Sequence, residues 1–447
     1  MRPMHPLTVP AFSRTTRREF LQQLFLSAGA LSVGGGLLTA CGGSDVSSGG
    51  GGQGRFAGIG PLGEPDALGI RVPEGFSTRI VAITNQRPAA ASNYLWHIFP
   101  DGGGVMPKAD GGWYYISNSE IPGAGSIGFL VPELAPITSP LEILTPGLGG
   151  TGVLEFAADG TVVDAYRILG NTTFNCAGCV TPWNTWLSCE EWPNGQVWEC
   201  DPSGRESAVA RPTLGFFSHE ATAIDVERRM IYMTEDMPDG RFYRWVADEA
   251  DWPAGAARPA LQSGTLQVMK VLGGGTAGAL DAPQPVVWVD ALNPGSPQDA
   301  NRVADSAAFD GGEGVWNHRG YIYFSSKGDE RIWVYDSHRE TLEVVYDLAT
   351  AENPILSGVD NITVTPQGDV LVAEDGGDMQ VVVILPDRTL KPLLQITGQD
   401  SSEIAGIAFS PDGRRMYFTS DRGGPRPGGG YGAGLGITYE LLLPEGL

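Results

Sequence analysis

Between Glu220 and Asp421 the chain runs four times through one short grammar: an acidic residue opens a strand, a turn follows, and a second β-rich strand often ends in another acid. Glu220-Ala-Thr-Ala-Ile-Asp-Val leads to Met230-Ile-Tyr-Met-Thr-Glu-Asp236 and then Arg241-Phe-Tyr-Arg-Trp245. Glu313-Gly-Val-Trp-Asn-His-Arg-Gly320 leads to Tyr321-Ile-Tyr-Phe324, Asp360-Asn-Ile-Thr-Val-Thr-Pro-Gln-Gly368 to Val370-Leu-Val-Ala-Glu-Asp375, and Glu403-Ile-Ala-Gly-Ile-Ala-Phe to Met416-Tyr-Phe-Thr-Ser-Asp421. Antiparallel strands recurring every roughly forty to fifty residues are the signature of propeller blades. Cys176 opens an earlier unit and residues 75–168 supply another, with an insertion around 273–305. The expected fold is all-β, a six-bladed β-propeller with loop insertions. Composition agrees: 63 glycines and 33 prolines supply turns, and no long stretch with helical period follows Leu38.

The first forty residues read as a separate element. Arg17-Arg18-Glu19-Phe20-Leu21 is a twin-arginine signature, and the apolar run from Leu24 to Leu38 is short for a bilayer span. It ends in Leu38-Thr39-Ala40-Cys41, which resembles the lipobox of bacterial lipoproteins. Residues 1–40 are therefore expected to be a twin-arginine lipoprotein signal peptide, Cys41 the lipidated anchor, and residues 41–55 a Gly/Ser-rich flexible tether. The partners implied are the twin-arginine export machinery and a bacterial membrane, reached through the lipid; the location is exported, on the periplasmic or cell-surface side. A formal charge of -23 makes nucleic acid a poor partner. The protein is expected to be a monomer.

In a propeller the innermost strand of every blade lines the central channel, so the residues that open these strands point to one axis. Cys176, Glu220, Glu313, Asp360 and Glu403 are expected to converge there. Glu191, Glu235 and Glu374, near the far ends of the second strands, would join the same rim if each hairpin is even. Carboxylates so concentrated repel one another unless protonated or neutralised, and metal ions neutralise them. Oxygen donors suit calcium, whereas the thiolate of Cys176 among carboxylates suits iron. The plainer alternative is that the acids cap turns and face solvent. For Asn175-Cys-Ala-Gly-Cys179 the alternative is a disulfide between Cys176 and Cys179. Cys189 and Cys200 could bridge across the turn at Pro193-Asn-Gly195, and a zinc or iron–sulfur site on the four cysteines ranks below that. Ser218-His219 are sequence neighbours whose side chains point to opposite faces of a strand, so His219 reads as a core or supporting residue rather than part of a catalytic triad.

These residues resemble the PhoX-type alkaline phosphatases. The resemblance runs from about Gly60 to Gly424 and is carried by Gly60-Pro61-Leu62, Val72-Pro-Glu-Gly-Phe-Ser77, Asn118-Ser-Glu120, Asn175-Cys-Ala-Gly178, Thr181-Pro-Trp183, Cys189-Glu-Glu191, Ser218-His-Glu220, Thr234-Glu-Asp236, Glu313-Gly314, Asp360-Asn361, Glu374-Asp375 and Phe409-Ser-Pro-Asp-Gly413. It implies that residues 56–447 form a PhoX-like propeller domain and that an iron and calcium cluster hydrolyses small-molecule phosphate esters. Cys176 then matches an iron-binding thiolate, and Glu191, Glu220, Glu235, Glu313 and Glu374 match acids in or near the cluster, with Glu191 and Glu235 in catalytic roles. Metals would grip the phosphoryl oxygens and supply an oxide or hydroxide nucleophile, so no protein nucleophile is required.

The chain departs from that pattern at three places. Gly311 stands where the family carries an arginine suited to clamping phosphate. Cys179 stands where glycine is usual, and the last unit ends in Ser420-Asp421-Arg422. Arg422 and Lys327 are candidates to replace the missing charge, against the plainer reading of both as surface cations. Two further functions stay open: a metal-binding propeller without phosphatase activity, and a calcium-dependent hydrolase of another substrate such as a lactone, which Cys176 disfavours.

Overall fold

The computed structural model describes residues 54–121, 149–273, 275–276, 282–423 and 436–447. The twin-arginine motif, Cys41 and the tether up to residue 53 lie outside them. Among the described residues the regular elements are strands and two 3-10 turns, and no helix is long and apolar enough to cross a membrane.

The strands form five hydrogen-bonded sheets in a propeller-like arrangement. Six strands lie innermost: Pro100–Pro107, Asn175–Val180, His219–Asp225, Gly312–His318, Val359–Val364 and Ile404–Phe409. Each packs against the next in chain order and the last returns to the first, closing a ring. Each also pairs antiparallel with the strand that follows it: Trp113–Ser119, Trp186–Glu190, Met230–Glu235, Tyr321–Ser326, Val370–Glu374 and Arg415–Ser420. The chain ends are stitched together within one sheet, where Ser77–Ile83 pairs with Ile437–Leu442.

One sheet departs from the expected separate units. Its nine strands begin at His219–Asp225 and end at Gly312–His318, because Gln284–Asp290, within the expected insertion, pairs with Gly264–Val271 on one side and Thr341–Asp347 on the other. An outer strand edge exposes unpaired N–H and C=O groups, and the insertion satisfies two such edges at once. Aromatic side chains fill the space beneath: Phe242 stacks on Phe324 at 4.2 Å, and Phe309 meets Phe324 and Trp333 edge-on. Burying side chains of this size stabilises by about 1.5–3 kcal/mol each.

A second regularity positions the site. Every innermost strand carries a register shift near its start, where three residue steps on the inner strand match two on its partner: Pro100 to Gly103, Asn175 to Gly178, His219 to Thr222, Gly312 to Val315, Val359 to Ile362 and Ala405 to Ala408. Such a bulge leaves one residue unpaired and re-aims the side chains on its near side.

Candidate metal centre

Five of the bulges present one side chain to the channel, those of Asp101, Cys176, Glu220, Glu313 and Asp360; in the sixth unit Glu403, the residue just before the strand Ile404–Phe409, takes that part, and all six are fully buried. The residue after each second strand forms a companion set: Glu120, Glu191, Asp236, Lys327, Asp375 and Asp421. Three groups of donor atoms from these sets lie within 4.8 Å of one another: Asp101 with Glu120 and Cys176, Cys176 with Glu191 and Glu220, and Asp360 with Asp375 and Glu403. The first two share the thiol; the third is all oxygen.

Cys176 is held in place by its neighbours. Its Sγ donates to Glu191 Oε2 at 3.0 Å. The Asn118 amide donates to the carbonyls of Cys176 and Ala177 at 3.0 and 2.9 Å, pinning the bulge from the adjoining sheet. Two residues on, Gly178 has φ +158 and passes so close to the neighbouring strand that a β-carbon would fall 1.5 Å from the Leu187 carbonyl oxygen. Only glycine fits there.

The electrostatics favour cation binding. Both carboxylate oxygens of Glu220 are buried with no hydrogen-bond partner among the described residues. Burial, then repulsion from Glu313, Glu191, Asp360 and Asp236, pushes its carboxyl well above the usual range. Burial likewise pushes Glu313 well up; Lys327 opposes the shift, while Asp236, Asp360 and Glu191 add to it. An orphaned buried carboxylate beside a thiol and further acids is a donor set suited to metal ions, with the thiolate sector softer than the all-oxygen sector. Lys327 Nζ lies 2.9 Å from Asp375, 3.3 Å from Glu313 and 3.4 Å from Asp360. Burial works against its charge, but Asp375, Glu313, Asp360 and Asp236 outweigh it and hold the ammonium well above its ordinary range. It is not the surface cation of the plainer reading. Arg422 is also engaged, 3.1 Å from Asp421 and over the Phe99 ring.

Of the expected site residues, the structure brings Cys176, Glu191, Glu220 and Glu313 to the channel, and turns Glu235 and Glu374 elsewhere. Residues directly opposite in a hairpin share a face. Glu190, Glu235 and Glu374 pair with Asn175, His219 and Val359, the residues just before the channel donors, and so take the other face. Arg302 donates to both oxygens of Glu235 at 2.9 and 2.6 Å, and the Arg241 amide donates at 2.9 Å. Glu374 accepts from the Ser357 and Gln380 amides at 2.9 Å each, and burial raises it to about 8. The hairpins are not even, and the bulge is the reason. Sequence reasoning did not nominate Asp101, Glu120, Asp236, Asp375 and Asp421 as ligands; for two of them the doublets Glu235-Asp236 and Glu374-Asp375, which repeat Glu190-Glu191, carried the signal.

His219 is a core residue: it stacks on Phe217 at 3.6 Å, makes a 3.2 Å hydrogen bond with the Gly215 carbonyl, and burial lowers its pKa to about 3. Cys176, Cys179, Cys189 and Cys200 are buried and none is in a disulfide, so neither the Cys176–Cys179 nor the Cys189–Cys200 alternative is formed. Cys189 pairs with Val197 and Cys200 with Trp186, so the two cysteines are three positions out of register across the hairpin.

Fold and site together define a propeller-like protein whose channel end gathers buried carboxylates around a thiol. The family model of alkaline phosphatase PhoX matches residues 193–424, and the chain belongs to that family. The matched stretch contains Glu220, Glu313, Asp360 and Glu403, whereas Asp101, Glu120, Cys176 and Glu191 precede it. Among solved structures, Pseudomonas fluorescens PhoX in complex with vanadate, a transition state analogue, aligns with TM-score 0.65 at 14% identity, over 87% of this chain and 98% of that one. At this identity the likeness establishes the fold. A gluconolactonase from Xanthomonas campestris aligns with TM-score 0.42 at 14% identity, over 86% of this chain and 98% of that one, and supports no functional argument. No curated protein sequence matches the chain significantly.

Proposed function

We propose that this protein is a metal-dependent phosphatase that hydrolyses small phosphate esters at the channel end of a six-bladed propeller, two blades being joined through Gln284–Asp290. The observation that carries the reading is that two buried donor groups, Asp101 with Glu120 and Glu191 with the orphaned Glu220, share the thiol of Cys176. Cys176 with Glu191, Glu220, Asp101 and Glu120 would hold iron; Asp360, Asp375 and Glu403 would hold calcium. When bound, these ions supply Lewis-acid charge to the phosphoryl oxygens. The protein's own part is to fix the donors. Asn118 and Gly178 hold the bulge that aims Cys176, and Glu191 accepts the hydrogen bond that the Cys176 thiol donates. Glu313 and Asp236 carry negative charge between the two sectors, and Glu235 and Glu374 form the layer behind. With Arg17-Arg18 for export and Cys41 for lipidation, the enzyme would work outside the cytoplasm, anchored to a membrane.

The test is to purify the exported protein, measure iron and calcium, and assay phosphomonoester hydrolysis for wild type and Cys176→Ser. Iron, calcium and hydrolysis in the wild type, with iron and activity lost together in Cys176→Ser, support the reading. Wild-type protein without iron would sink the cluster. Both metals with no hydrolysis of any ester would favour a metal-binding propeller instead.

A further inference from the structure

Every position of the two rings around the channel is a carboxylate or a thiol except one, Lys327. It ends the strand Tyr321–Ser326 where the other hairpins place an acid. Its ammonium sits among three carboxylates at 2.9–3.4 Å. Its side chain and that of Asp375 are each 19% exposed, while those of Glu313 and Asp360 behind them are 0% exposed. The ammonium and Asp375 therefore share the accessible surface of this sector, and Glu313 and Asp360 form its backing. Gly311 makes the room: a β-carbon there would stand 3.7 Å from the Lys327 β-carbon and 3.2 Å from Asp236 Oδ1, so a larger side chain would compete for the same space.

Resting on the phosphatase reading, we propose that Lys327 binds the phosphoryl group of the substrate directly, as a three-donor point charge at the channel wall. Two of its three carboxylates, Asp360 and Asp375, also belong to the all-oxygen donor group with Glu403. A divalent cation on that group neutralises the same two acids, so the ammonium is no longer consumed by them and stays tethered through Glu313. Lys327 is then a poor anion binder in the metal-free protein, where three carboxylates surround it, and a good one once the all-oxygen sector is filled. Phosphate and calcium binding are thereby coupled, and by linkage the coupling is reciprocal.

The experiment is equilibrium binding of inorganic phosphate to the metal-loaded protein by calorimetry, with metal content measured on the same samples, for wild type, Lys327→Met and Lys327→Arg. A charged hydrogen bond to phosphate corresponds to roughly 10–100-fold in affinity. Lys327→Met is expected to weaken phosphate binding by that factor with iron and calcium unchanged, Lys327→Arg to restore most of it, and wild-type affinity to fall when calcium is withheld. Unchanged phosphate affinity in Lys327→Met overturns the proposal, as does an extra bound calcium with unchanged affinity, which would make the lysine a built-in countercation. Should the Met variant not fold, Lys327→Gln is read by the same criteria. Wild-type protein that hydrolyses esters while the variants bind phosphate normally refutes this inference alone; wild-type protein that neither binds phosphate nor hydrolyses esters refutes the phosphatase reading as well.

Discussion

Glu220→Gln should stabilise the protein without metal and shrink the stabilisation that metal confers. In the metal-free form Glu220 is buried, has no hydrogen-bond partner among the described residues, and is repelled by Glu313, Glu191, Asp360 and Asp236. An amide of the same shape keeps the desolvation cost of a polar group but removes the repulsion, and each pKa unit of upward shift corresponds to about 1.4 kcal/mol. For a chain this long, with about 2.1 cal/mol/K of unfolding entropy per residue, 1 kcal/mol moves Tm by about 1–2 °C. A rise of about 2–4 °C in chelator is expected. With metal at a thousand times its Kd, binding contributes about 4 kcal/mol, and a hundredfold loss of affinity on removing a charged ligand subtracts roughly 2.7 kcal/mol. The rise in Tm that metal gives should then be smaller in the variant by about 3–5 °C, which offsets most of its gain in chelator. The pH dependence has a definite sign. The folded-state pKa of Glu220 is raised, so the protonated group's contribution is fully present below about pH 4.3 and lost as pH rises through the raised value. Chelated wild type should lose stability on going from acid towards neutral, Glu220→Gln less so, and metal should reverse the slope because ligands bind deprotonated. Calorimetric scans of both proteins, with metal and with chelator, decide it. A lower Tm for the variant in chelator would refute the reasoning and make Glu220 a structural group.

Three further perturbations test the scaffold. Gly178→Ala drives a β-carbon into the Leu187 carbonyl and should cost more than about 4 kcal/mol, read as a denaturant midpoint shift or loss of soluble protein. Glu199→Gln removes the charge that Arg211 and Arg258 share, in a carboxylate that also accepts from Trp183 and Thr185 at 2.8 Å each; a loss of roughly 3 kcal/mol is expected at neutral pH. Burial opposes the charged form of Glu199, but the bonds from Trp183, Thr185 and Arg211 prevail and lower its pKa, so the wild-type advantage should vanish as pH falls through that lowered value. Gly311→Arg must adopt φ +67, at about 1–2 kcal/mol, beside Lys327. It should not tighten phosphate binding in the wild type but should rescue it in a Lys327→Met background, a non-additivity that a double-mutant cycle measures.

The strand repeat was legible because each inner strand is short, apolar and opened by an acid, so the ring of Cys176, Glu220, Glu313, Asp360 and Glu403 could be read before any coordinates. Asp101 escaped because its strand is Pro100-Asp-Gly-Gly-Gly, which carries too few β-formers to align with the others. The second ring was hidden by parity. A one-residue register shift moves every side chain to the other face, and sequence periodicity cannot count a bulge. The acidic doublets show what the bulge accomplishes. Their first members reach the backbone six residues on: Glu190 accepts from the Gln196 amide, Glu235 from Arg241 and Glu374 from Gln380. Their second members, Glu191, Asp236 and Asp375, are left to face the channel. One carboxylate ties the turn that holds the hairpin end while its neighbour carries the charge. The hairpin of Tyr321–Ser326 has neither: Ser326 stands where the turn-binding glutamate does, and Lys327 where the channel acid does. Aligning the four downstream units on the ends of their second strands, rather than on the acids that open their first, sets Lys327 opposite Asp236, Asp375 and Asp421. Lys327 was a candidate from the sequence as a spare cation; its place as the one position that breaks the charge pattern emerges once the strand ends are aligned.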